Sequence, residues 1–128
     1  DDLTSLGHAH TLAGNLEEAR RALREGLEVV IEDQNFPVMV TSLFFFAVLE
    51  QREGRHERAA RLWAAAEALR DASGGAPADV MKLYDPIVAA REAIGDQAVD
   101  RAVAEGRAMD LDKAVAYAME EPSPTPPS

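Results

Sequence analysis

The chain has 128 residues, no cysteine, and 13 lysines and arginines against 23 aspartates and glutamates, for a net charge of −10. That length fits one domain able to bury about two-thirds of its unfolded surface, and the lack of cysteine excludes disulfides and thiolate metal sites, as suits a reducing cytoplasm. So acidic a segment repels phosphate backbones and anionic membranes, and no run of apolar residues is long enough for a membrane helix.

Alanine, leucine, glutamate and arginine dominate, strand-like alternation is absent, and glycines fall where helices should end, which predicts an all-α chain. The first predicted helix covers 2–13 and stops at Gly14 and Asn15. Leu16 to Asp33 follow as a long amphipathic helix, with Glu17 and Arg21, Arg21 and Glu25, and Arg24 and Glu28 spaced four apart on its solvated face. Pro37 suits the first turn of a third helix running to about Glu53. Gly54 separates it from a fourth, His56 to about Ala72, where Glu57 and Arg61 repeat the four-residue spacing. The stretch "SGGAPAD" at 73–79 reads as the longest loop.

Pro86 interrupts the next helical stretch, 80–95, because it lacks an N–H and crowds the preceding turn. A kinked helix is expected there ahead of a restart capped by Asp85. A sixth helix covers Asp96 to about Arg107, and a short seventh is capped by Asp110. A helical domain over 1–120 thus precedes a proline-rich linker or tail, "EPSPTPPS", at 121–128. With no initiator methionine, and opening inside a helix, the chain reads as a piece of a longer protein.

An internal repeat underlies the first four helices. At an offset of 40, Leu3 falls on Leu43, Leu6 on Phe46, Gly7 on Ala47, Gly14 on Gly54, Ala19 on Ala59, Leu23 on Trp63 and Gly26 on Ala66. Large residues meet large and small meet small, as paired helices need where their backbones cross. Leu3, Leu6, Gly7, the turn "GNLEEA", Leu23 and the second turn "GRHERA" together resemble the tetratricopeptide repeat. His10 and Glu50 stand where that family has an aromatic, and the spacing exceeds its usual period of about 34 residues. The resemblance implies a solenoid or bundle of about seven helices, with two recognisable helix-pair repeats and a degenerate third formed by the helices after residue 79.

A second resemblance comes from the later half. "GRHERAARLWAAAEALRDASG" and "VAAREAIGDQAVDRAVAEGRAMDLDKAVAYAMEEPSPTPP" are similar to the helical repeat region of large bacterial LuxR-type and AfsR-like transcriptional regulators, with "AEGRAMDLDKAVAYA" the more specific part. It implies a parent with a signalling ATPase module upstream and a DNA-binding helix-turn-helix beyond the prolines. On that reading this bacterial, cytoplasmic segment is a non-catalytic protein-interaction and signal-relay domain. A freestanding tetratricopeptide adaptor, or a small-ligand sensor with a pocket beside Phe44, Phe45 and Trp63, remains open.

No motif points to chemistry of its own. His8 and His10 sit about 200° apart on a helix and cannot share a metal there, and His56 falls at a helix start. The acid pairs Glu17 with Glu18, Glu120 with Glu121, and Asp110 with Asp112 lack surroundings that would split their pKa values. Nucleophile triads and phosphate loops are missing. Catalytic, metal and cofactor residues are therefore expected to be none. Met39, Met81, Met109 and Met119 are expected to fill core, and Trp63 to need a partner for its indole N–H.

The run Phe44, Phe45, Phe46 raises the sharpest question, since three successive residues sweep roughly 200° of a helix surface. The repeat register assigns Phe46 to the core and Phe45 to a neighbouring pair. It turns Phe44 toward a concave face with Thr41, Val48 and Arg52, extended by Thr4, His8 and Thr11. Either later helices cover Phe44, or these seven residues form a groove for a protein or peptide partner, such as another part of the parent chain or a second copy.

Overall fold

The computed structural model describes residues 2–73 and 84–120, which form seven α-helices and no strand. In order these are α1 (Asp2–Ala13), α2 (Leu16–Glu32), α3 (Phe36–Arg52), α4 (His56–Ala72), α5 (Ile87–Ile94), α6 (Asp96–Arg107) and α7 (Leu111–Met119). Most of the predicted loop 73–79, the start of the expected fifth helix with Met81, and the proline-rich tail 121–128 with Glu121 lie outside the described residues.

Three of the turns use one device. Just past α1, α2 and α3 one residue donates its N–H to the carbonyl three back, and the next residue donates to the carbonyl five back: Gly14 to Thr11 and Asn15 to His10, Gln34 to Ile31 and Asn35 to Val30, Gly54 to Gln51 and Arg55 to Glu50. This closure needs left-handed backbone at its first position, where glycine is free of the usual steric penalty. Gly14 and Gly54, equivalent in the repeat, have φ of 87° and 83°. Further along, Asp110 caps α7 by accepting from the Lys113 N–H at 2.8 Å.

At Pro86 the structure differs from the expected kink. Tyr84 to Pro86 are not helical, so α5 is a fresh start at Ile87. The Asp85 carboxylate accepts the Ile87 N–H at 2.8 Å, compensating locally for the ladder bond that proline cannot make.

Helix α1 packs on α2, α2 on α3 and α3 on α4, while α4 also carries α6, α5 and α7. The main core runs from Leu23 and Leu27 through Leu43, Phe46 and Leu49 to Leu62 and Trp63, ending on Ala114 and Ala118 of α7. A smaller cluster of Ala60, Ala90, Val99 and Ala102 joins α4 to α5 and α6. Helix α4 is thus buried on two sides, and its alanines let neighbours approach both. One close approach is at Gly106, where an added Cβ would come within 2.1 Å of the Arg61 carbonyl oxygen. Gly7 plays the same part for α1 and α2, facing Leu23.

Candidate functional site

The seven residues expected to line one groove do not share an open face. Thr4, Thr11, Phe44 and Val48 are buried, His8 is half-buried, and only Thr41 and Arg52 are exposed. Thr11 turns its hydroxyl back to donate to the Gly7 carbonyl at 2.9 Å, and Thr41 does the same to Pro37 at 3.0 Å. Phe44 is 3% exposed, set edge-on to Trp63 at 4.7 Å between ring centroids with the Arg70 guanidinium 5.2 Å over its ring. The concave placement of Phe44 is therefore corrected to core. Its physical reason is that α3 is covered by α1, α2, α4 and α7, leaving little open side for a phenylalanine to face.

Phe45 is the partly open one of the three. Its ring stacks on His8 at 4.2 Å and 8°, and Tyr84 meets the same imidazole edge-on at 5.0 Å. Burial, helped by the nearby Arg52 charge, holds the His8 imidazole below its ordinary value of 6.5. An unfolded chain takes up that proton first, so the folded state should lose stability as pH falls through 6.5, with no contribution from this group at higher pH. The urea midpoint, followed from pH 8 to pH 5.5, should fall less steeply in His8→Phe than in the unaltered chain. Equal slopes would show that His8 does not carry the effect.

Among the other sequence-marked residues, Met39 is buried, and Met109 and Met119 pack partly buried against the core. Trp63 is buried, and no acceptor among the described residues reaches its indole N–H. His10 and His56 are half-buried on α1 and α4, and among the described residues no group of three or more potential ligands could hold a metal ion. Arg61 pairs with Glu57 at 2.5 Å as the spacing predicts, whereas Arg21 reaches Glu18 at 3.5 Å.

The strongest constellation is one that motif reasoning missed. Glu50 of α3 is fully buried in a ring of arginines. Arg20 of α2 donates to its Oε1 at 2.5 Å, while Arg58 of α4 and Arg55 of the α3–α4 turn approach Oε2 at 3.3 Å and 3.6 Å. Glu53 extends the cluster, 2.5 Å from Arg20 and 3.1 Å from Arg55. Burial opposes the charge on Arg20, but its hydrogen bonds to Glu50 and Glu53 outweigh this and raise its pKa above the ordinary arginine value. A buried carboxylate persists only with such partners. The sequence did hold a signal, since Glu50 occupies a register position reserved for a bulky side chain.

Arg58 reaches on from this cluster to the far end of the domain. It donates to the carbonyls of Tyr117 and Glu120, at 2.5 Å and 2.9 Å, and its guanidinium lies 4.3 Å over the Tyr117 ring. Arg61 donates to the Tyr117 hydroxyl at 2.6 Å and to Glu105 of α6 at 2.9 Å. Burial again opposes the charge on Arg61, and the bonds to Tyr117, Glu105 and Glu57 more than offset it, so its pKa is raised. Two adjacent turns of α4 therefore fix α7, with Arg58 shared between α7 and the buried Glu50.

Two of the clefts bounded by described residues bear on function. One, of about 370 Å³, lies over the cluster among Arg20, Arg21, Arg24, Arg55, Glu17 and Glu53; the Glu53 carboxylate already sits between Arg20 and Arg55. The other, of about 350 Å³, lies between the α2–α3 turn and α7. No described helix is long and apolar enough to cross a membrane.

No family model and no solved structure matches the chain. It is similar to proteins of Mycobacterium bovis and of two strains of Mycobacterium tuberculosis that are named as HTH-type transcriptional regulators, a role their names give as inferred. Identity is 34% over 121 residues in each case, covering 91% of this chain and 13% of the relative. The likeness is thus between nearly the whole of this chain and about an eighth of the length of the curated relatives it matches.

Proposed function

We propose that this chain is a non-catalytic interaction and signal-relay domain of a large bacterial transcriptional regulator of the LuxR type, acting in the cytoplasm. The similarity over 91% of the chain to proteins named as HTH-type transcriptional regulators supports the regulator part of that reading. Its stacked helix pairs serve as a tetratricopeptide-like scaffold. The relay runs through Arg58: because this guanidinium faces Glu50 of α3 and also holds the end of α7, a shift among α2, α3 and α4 alters how α7 is held. Residues beyond α7 then present the DNA-binding module in a changed position. Net charge of −10 fits a segment that leaves DNA contact to another part of the parent.

In-frame removal of this domain from the parent regulator is expected to spare DNA binding and to abolish the inducible part of a promoter-reporter response. A response that survives the removal would sink the relay role. Specific binding of a promoter fragment by the 128-residue chain alone would sink the division of labour.

A further inference from the structure

Of the three turns that share one hydrogen-bond pattern, two place glycine at the left-handed position and the third places Gln34, at φ 54°. It is the one described non-glycine residue with positive φ. A glutamine there carries a backbone penalty that glycine would avoid, and such strain persists where a side chain is wanted for something else. The Gln34 side chain lines the cleft of about 350 Å³ between this turn and α7.

The rest of that cleft states what would fit. Ile31 of α2, Met39 of α3, and Leu111 and Val115 of α7 supply an apolar wall, Leu111 and Val115 being one helical turn apart. Ile31 is 38% exposed, a large apolar side chain left open to solvent. Asp112 is the one charged residue among the lining groups. Neither the Asp112 carboxylate nor the Gln34 side-chain amide has a hydrogen bond or ion pair among the described residues. The volume is at the lower end of small-molecule sites, which combine an apolar lining with a few placed polar groups.

We infer that the cleft between the α2–α3 turn and α7 binds a small ligand with an apolar body and a single ammonium group. The apolar body lies on Ile31, Met39, Leu111 and Val115. The ammonium meets the Asp112 carboxylate and donates to the Gln34 side-chain oxygen. Selection against anions follows from the charge of Asp112, the absence of any cationic lining residue, and a chain of net charge −10. Bound there, the ligand would bridge the α2–α3 turn and α7. The site stands on its own geometry and does not depend on the regulatory role proposed above.

The test is a titration of the 128-residue chain with 2-phenylethylamine, and in parallel with its carboxylate counterpart 3-phenylpropanoate, followed by methyl NMR of Ile31, Met39, Leu111 and Val115. Saturable shifts are expected with the amine, and at least tenfold weaker binding with the carboxylate. Asp112→Asn should weaken amine binding about tenfold and close the gap between the two probes. Gln34→Gly should raise the urea midpoint by relieving the turn, yet weaken amine binding several-fold, an opposition that a purely structural role would not give. No saturation with the amine, equal affinity for the carboxylate, or amine binding unchanged in either variant would overturn the proposal.

Discussion

Replacing Glu50 by glutamine is expected to destabilise the domain by about 3–5 kcal/mol, although the two side chains have nearly the same shape. The substitution removes one negative charge from a fully buried position faced by Arg20, Arg55 and Arg58, and leaves Glu53 as the only acid in the cluster. Three guanidiniums with one carboxylate between them must then rearrange toward water or remain under-compensated. Folded domains carry a total stability of about 5–15 kcal/mol, so this loss should lower the urea midpoint strongly, or leave the chain partly unfolded. The control is Glu57→Gln on α4. That carboxylate pairs with Arg61 at 2.5 Å, as short as the Arg20–Glu50 contact, but it is 58% exposed. Solvent screening should hold its cost below about 1 kcal/mol. If the two variants unfold at similar denaturant concentrations, the arginine ring is not a stabilising element. The arginine side of the cluster has a second consequence, because Arg58 also holds α7. Amide hydrogen exchange in α7 should speed up in Glu50→Gln more than in Glu57→Gln.

What the sequence made legible and what it hid divide along physical lines. Helix ends were readable because they depend on local chemistry: Gly14 and Gly54 in left-handed backbone, Pro37 in a first turn, and Asp110 accepting a backbone N–H. The boundaries of the first four helices differ from expectation by at most a residue or two. The restart at Ile87 was harder, since whether a helix bends or breaks at proline depends on what Asp85 can cap and on the packing of the buried Pro86. Facing was harder still. A repeat register can tell the inner from the outer side of a helix only when one side is solvated, and α3 is buried along nearly its whole length from Met39 to Glu50. The same burial hid the charge cluster. Glu50 looked like a departure from the family pattern, whereas its partners Arg20, Arg55 and Arg58 come from three different segments that only the tertiary fold assembles.

Phe44→Ser tests the corrected placement of the aromatic run most directly, and its expected cost is about 4 kcal/mol or more. Truncating a buried phenylalanine to alanine typically costs about 3–5 kcal/mol through lost apolar transfer and the cavity left behind, and a serine hydroxyl at that site adds a polar group needing a partner. Phe44 also gives up an edge-on contact with Trp63 and a position beneath the Arg70 guanidinium. Phe45→Ser, one position along, provides the comparison: its ring is half-buried against His8 and Tyr84, so less apolar surface is returned to water. The order of loss measured by urea unfolding should therefore be Phe44 well above Phe45. A cost below about 1 kcal/mol for Phe44→Ser would mean that this ring faces an open groove in solution after all. In that case Thr41 and Arg52, already exposed on α3, would be the next positions to vary in a search for a protein or peptide partner.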